Sequence, residues 1–181
     1  MKKSTVAIAS LIVALALVLA GCSADETDYN AADEMFVTGM IPHHEQALEM
    51  SEILLAKDGV DDQVEALAER IQDAQQPEID LMTSWLEEWG IDSDMGDMPG
   101  MDHGNGGMMA DDDIAALEAA SGDDASVLFL EQMIEHHLGA IEMAEQELDN
   151  GENADVLDLA QQIIDAQSAE IAEMQDLLAE L

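Results

Sequence analysis

Basic residues are nearly missing from this sequence: four Lys and Arg stand against 42 Asp and Glu in 181 residues. A surface of that sign repels polyanions, so nucleic acid and anionic lipid are excluded as electrostatic partners and cations are favoured. Cysteine occurs once, at Cys22, which excludes an intrachain disulfide framework. Proline occurs three times. Two of these, Pro42 and Pro77, fall inside helical patterns on the outer face, where each should remove a hydrogen bond and bend its helix. No segment alternates apolar and polar residues with period two, so no sheet is expected. No nucleophile–base pair stands out beyond the candidate ligands named below, which favours a binding protein over an enzyme.

The start of the chain is where its other two basic side chains are spent. Lys2 and Lys3 precede an apolar run from Val6 to Ala20, which ends in Leu19-Ala20-Gly21-Cys22. A basic opening, an apolar core and small residues before the cut make a secretory signal peptide over residues 1–21. The lone cysteine directly after that site looks like a lipobox. Cys22 is then expected to become a diacylated N-terminus that anchors the protein outside the cytoplasm without spanning the membrane. Removal of the two lysines takes the formal net charge from −38 to −40, with Lys57 and Arg70 left against 42 acids. Most of those acids fall on outward helix faces and read as a solubilising surface.

Beyond a polar tether at 22–31, the chain writes one pattern twice. Phe36 to Ser51 is FVTGMIPHHEQALEMS and Phe129 to Ala144 is FLEQMIEHHLGAIEMA. Each is followed by a second matching stretch, LAERIQDAQQPEIDLMTSWL from Leu67 and LAQQIIDAQSAEIAEMQDLL from Leu159. Apolar residues at three- and four-residue steps predict helices over about 32–57, 62–89, 124–148 and 154–181, with a short one over about 114–120. Asp58-Gly59 and Asn150-Gly151 punctuate the two hairpins, and Asp61 can cap the second helix. The expected fold is all-α: a four-helix bundle over 32–181, built from repeat one (32–89), a linker (90–122) and repeat two (123–181). The linker over 90–113 is too rich in Gly and Asp to be expected to form regular structure.

The chemistry lies on the inward faces. Met40, His43 and Met50 form one ladder with His44 beside it, and Met133, His136, Met143 and His137 form its copy. The second helix of each repeat adds Gln75, Glu78 and Met82, or Gln167, Glu170 and Met174. A single inward methionine is ordinary packing. A core carboxylate, by contrast, needs a partner or a proton, and Glu78 and Glu170 have a histidine or a metal as the natural choice. Di-iron bundles place Glu three residues before the ligand histidine. Here those positions are Met40 and Met133, and thioether ligands move the preference from iron towards Cu(I) or silver, while imidazole still suits Cu(II). The linker adds Met95, Met98, Met101, His103, Met108 and Met109 within fifteen residues.

The segments MIPHHEQALEMS, DAQQPEI with its following Met and Trp-Leu, MIEHHLGAIEMA and DAQSAEI resemble a bacterial family, domain of unknown function 305, over about residues 30–181. That resemblance implies a ferritin-like helical bundle and a link to extracytoplasmic copper binding and tolerance. It also implies a ligand set of Met40, His43, His44, Met50, Met133, His136, His137 and Met143. Three functional readings follow. The leading one is a lipid-anchored copper-binding protein that sequesters or hands on the ion. The second is a ferritin-like iron or copper oxidoreductase using Glu78, Glu170 and the histidines. The third is a metal-free scaffold whose His–Glu pairs satisfy the core.

Overall fold

A computed structural model describes residues 28–91 and 106–181. Cys22, Met95, Met98, Met101 and His103 therefore lie outside the described residues, as do the expected signal peptide and most of the tether. Five helices and no strand are present among the described residues: α1 (Ala31–Leu55), α2 (Asp62–Trp89), α3 (Asp111–Ala119), α4 (Asp123–Asn150) and α5 (Ala154–Glu180). The short helix begins three residues before the expected Ile114, because three consecutive acids, Asp111, Asp112 and Asp113, occupy its first turn. Carboxylates are stabilised there by the positive end of the helix dipole.

Three of the four long helices start where a side chain can take up their first free N–H groups, and α4 starts at Gly122 without one. Asn30 accepts from Ala32 and Asp33, Asp61 from Gln63 and Val64, and Asn153 from Asp155 and Val156. Losing one such cap costs about 1 kcal/mol. Lys57, one of two basic residues described, donates to the carbonyls of Glu118 and Ala120 at 2.8 and 2.9 Å and so finishes α3. Arg70, the other, pairs with Glu173 in an exposed contact that adds little stability.

Helix α1 packs against α2 and α4, and α4 packs against α5, while α3 rests on α1 and α4. The core is split. One apolar cluster joins Met50 and Leu54 of α1, Leu67 and Ile71 of α2, Phe129 and Met133 of α4, and Met174 of α5. The other joins Phe36 and Met40, Met82 and Leu86, Ala140 and Ala144, and Val156 and Ile163 from the same four helices. Each fully buried large side chain contributes about 1.5–3 kcal/mol. The pairing of early with late segments makes α1 antiparallel to both α2 and α4. The residues between the two clusters on each helix form a polar layer across the middle of the bundle: His43 and His44, Gln75 and Glu78, His136 and His137, Gln167 and Glu170. Pro42 and Pro77 face outward and are exposed, as their positions in the pattern require.

At one end of the bundle, Asp33 ties α1 to the α4–α5 turn. Its carboxylate accepts from the backbone N–H groups of Asn30, Glu152 and Asn153 at 2.6–3.3 Å. Burial pushes Asp33 up, but these donors, with Glu147, outweigh it and hold the carboxyl below its ordinary value. Glu147 is 2% exposed. Burial first, then the neighbouring Asp33 carboxyl, raise it from 4.5 to about 8. Glu147 is therefore the protonated member of this acid pair at neutral pH.

Candidate metal centre in the polar layer

Adjacent helical residues point about 100° apart, yet all four paired histidines are at most 1% exposed. The packing of α1 and α4 explains this. His43 faces α4 and His44 faces α2, while His136 faces α1 and His137 faces α5. The sequence pattern implies only an oblique approach to one interior, but a helix between two neighbours buries two adjacent side chains in two interfaces.

His44 Nε2 lies 2.7 Å from Glu78 Oε2, and His137 Nε2 lies 2.6 Å from Glu170 Oε2. The second helix of each hairpin thus supplies the same contact. Glu78 and Glu170 are 23% and 20% exposed in their side chains, so they sit at the rim of the layer and not in the core, as their spacing had suggested. His43 Nε2 lies 3.0 Å from the carbonyl of Gly106. The rings of His43 and His136 meet at 3.8 Å between centroids, inclined by 39°. Carboxylate and carbonyl oxygens only accept, so in the neutral imidazoles the proton is on Nε2 and the lone pair is on Nδ1. The Nδ1 atoms of His43, His44 and His137 are buried without a hydrogen-bond partner, and His136 has none at either nitrogen.

Burial, followed by the neighbouring His44, lowers His43 from 6.5 to about 4, against the Gly106 contact, which raises it. Burial and the charge of His43 hold His136 well below 6.5. Both rings are therefore unprotonated at neutral pH, the form that donates a lone pair to a metal.

The thioethers divide around this layer. Met50, Met133 and Met174 belong to one apolar cluster, and Met40 and Met82 to the other, all five fully buried. Met143 is half-buried against the second cluster. Met40, His43 and Met50 are all buried along α1, with Met40 and Met50 on opposite sides of the histidines. Among the described residues no three His, Cys, Asp or Glu side chains gather into a ready-made ion site. The donors present are imidazoles with carboxylates behind them and thioethers above and below, a set suited to soft ions. Gln75 and Gln167 are buried in the same layer with unpartnered amide atoms.

The end of the linker has no regular structure up to Ala110, as expected, yet it is held in place. Gly106–Met109 lies across α1 and α4 as a strap. Met109 exchanges two hydrogen bonds with the Gln46 side chain, at 2.7 Å to its N–H and 2.9 Å from its carbonyl, and packs on the first cluster. Met108 is half-buried. Gln46 is half-buried on α1, and the strap supplies its partner. A Cβ on Gly139 would overlap the Gly106 carbonyl, so the backbones of strap and α4 touch there. A glycine in the middle of a strongly helical pattern was the available signal for this crossing. A separate surface cavity of about 580 Å³, beside the stacked Tyr29 and Trp89, lies at the bundle end away from the histidines. Among the described residues no helix is long and apolar enough to cross a membrane.

The family described as domain of unknown function 305 matches residues 33–178. A crystal structure of a family protein from Streptomyces coelicolor, named as secreted, is 34% identical, covering 82% of this chain and 93% of that one with a TM-score of 0.76. A family fragment from Deinococcus radiodurans is 31% identical over 84% of this chain and 98% of its own, also at a TM-score of 0.76. The protein CopM in its Cu(II)-bound form is 32% identical over 82% of this chain and 96% of its own, with a TM-score of 0.69. CopM is also solved with Cu(I) and with silver. No curated protein matches the sequence.

Proposed function

Since the chain belongs to the family of domain of unknown function 305, we propose that it is an extracytoplasmic copper-binding protein that sequesters the ion or hands it on. The observation that carries this reading is the set of buried, unpartnered imidazole nitrogens between two clusters of thioethers. Leaving such atoms unsatisfied costs about 1–3 kcal/mol each, which a structural role would not require. The CopM forms with Cu(I), Cu(II) and silver support the choice of ion by similarity. His43, His44, His136 and His137 would hold copper with Met40, Met50, Met82, Met133, Met143 and Met174 in a ferritin-like four-helix arrangement. Glu78 and Glu170 would stand behind His44 and His137, fixing tautomer and ring orientation, a common partnership at metal sites. Met95, Met98, Met101, His103, Met108 and Met109 would form a second, weaker and faster capture site on this reading. Acylated Cys22 would hold the protein at the membrane surface.

An oxidoreductase acting on iron is the second reading. It would need Glu78 and Glu170 as direct ligands, and so would require them to release their histidines. Metal analysis of the purified protein with copper and silver titration tests both. Copper near stoichiometry, lost in a His43→Ala/His136→Ala variant, supports the first. Two irons with an oxo-bridge absorption support the second, and no bound metal of either kind overturns both.

A further inference from the structure

Three of the four layer histidines have an oxygen on Nε2, but the oxygens differ in origin. His44 and His137 use carboxylates from their own hairpins, whereas His43 uses a backbone carbonyl from the crossover. We infer that the strap Gly106–Met109 is a positioning element of the histidine centre, held by Gln46 and Gly139, which fixes the nitrogen His43 offers and closes the centre to solvent. This rests on the copper-binding reading for the identity of the ligand, and on geometry alone for the placement of His43.

The seat of the strap is specific. Gly107 has φ of +80°, and a Cβ there would come within 2.7 Å of the Glu135 carbonyl and 2.8 Å of Gly139 Cα. Its backbone therefore lies on the turn of α4 between Glu135 and Gly139, the turn that carries His136. On the other side Gln46, three residues after His43, takes both polar groups of Met109. Gln132 anchors the following helix by donating to the Asp113 carbonyl at 2.9 Å. With His43 and His136 at 1% and 0% exposure, an ion reaches them from this side only after the strap lifts. While the strap is down, the Gly106 carbonyl keeps the His43 proton on Nε2 and leaves Nδ1 bare.

The test uses the metal-free full chain and its Gln46→Leu and Gly139→Ala variants, with silver ion as the probe. Imidazole ¹⁵N spectra of the parent should show His43 as a single Nε2–H tautomer. In Gln46→Leu, which loses both bonds to Met109, the two tautomers should mix while His137 stays as it was. Silver capture measured by stopped flow should accelerate about tenfold, which corresponds to about 1.4 kcal/mol of lost strap contacts. Gly139→Ala should do the same, and Gln46→Leu stands alone if the added methyl unfolds the chain. Mixed His43 tautomers in the parent, or unchanged tautomer and capture rate in the variants, would overturn the inference. If silver binding survives His136→Leu, the copper reading of the centre fails, and the His43 tautomer still decides whether the strap positions that ring.

Discussion

The two hairpins contain the same histidine–glutamate contact, at 2.7 Å in one and 2.6 Å in the other, yet they treat the neighbouring histidine differently. His43 is bonded to the strap, and His136 is bonded to nothing. The cause is visible in two flanking positions. Repeat one has Gly39 and Gln46 where repeat two has Gln132 and Gly139, the same two residue types in exchanged order. Gln46 and Gly139 receive the single crossover, Gln132 holds the start of the helix after it, and Gly39 accommodates the Met143 methyl. A pattern written twice gives equal contacts within each hairpin. The connection between hairpins exists only once, and it makes the two copies inequivalent.

The largest effect should come from removing the unpartnered ring. His136→Leu is expected to weaken the tightest copper or silver binding by more than roughly hundredfold, beyond the ~10–100-fold typical when a partner behind a ligand is lost. Competition against a chelator of known affinity measures it, and an unchanged affinity would return His136 to a purely structural role.

Next come Glu78→Gln and Glu170→Gln. Each should cost about 10–100-fold in affinity, and the two losses should match because the contacts match. A loss confined to one variant would show that the hairpins differ within themselves and not only at the crossover.

A third effect runs the other way. In the metal-free protein, His136→Leu should raise stability by about 1–3 kcal/mol, since it replaces two unsatisfied buried nitrogens with apolar surface. Urea unfolding followed by circular dichroism reads the change. Destabilisation would mean that His136 has a partner in solution.

The smallest effect concerns the bundle end, where each hairpin contributes a different acid, Asp33 from one and Glu147 from the other, to a buried pair. Glu147 is raised from 4.5 to about 8, mainly by burial. Between those values the folded chain keeps a proton that the unfolded chain has released, so this contribution to stability falls as pH rises and is flat above about 8. His43, lowered to about 4 by burial, acts oppositely: below 6.5 the unfolded ring protonates first, so stability falls as pH drops. Thermal melts of Glu147→Gln should lose the alkaline decline and keep the acid one, because the amide does not titrate.

Much of the scaffold was legible before any coordinates. Three- and four-residue steps from Phe36 to Leu54 depend only on which side chains avoid water, and Asp61 caps its helix through contacts two and three residues away. The histidine pairs, Glu78 and Glu170 could likewise be nominated from spacing. The separation of Met40 from Met50 was legible too, since ten residues of helix rise about 15 Å, but not which residues of the other helices would join each of them in its apolar cluster. Nor were the Gln46–Met109 bonds, which join residues 63 apart in sequence. The meeting of Asp33 and Glu147 was hidden for the same reason: in a chain with 42 acids, two that meet in the fold look like all the others.

The most direct measurement is long-range ¹H–¹⁵N spectroscopy of the imidazoles during silver titration of the metal-free protein. The Nδ1 resonances of His43, His44 and His137 should move on binding while their Nε2 atoms keep their protons towards Gly106, Glu78 and Glu170. Movement at Nε2 with release of the two glutamates, or no movement at any layer histidine, would contradict a soft-metal centre built on the Nδ1 atoms.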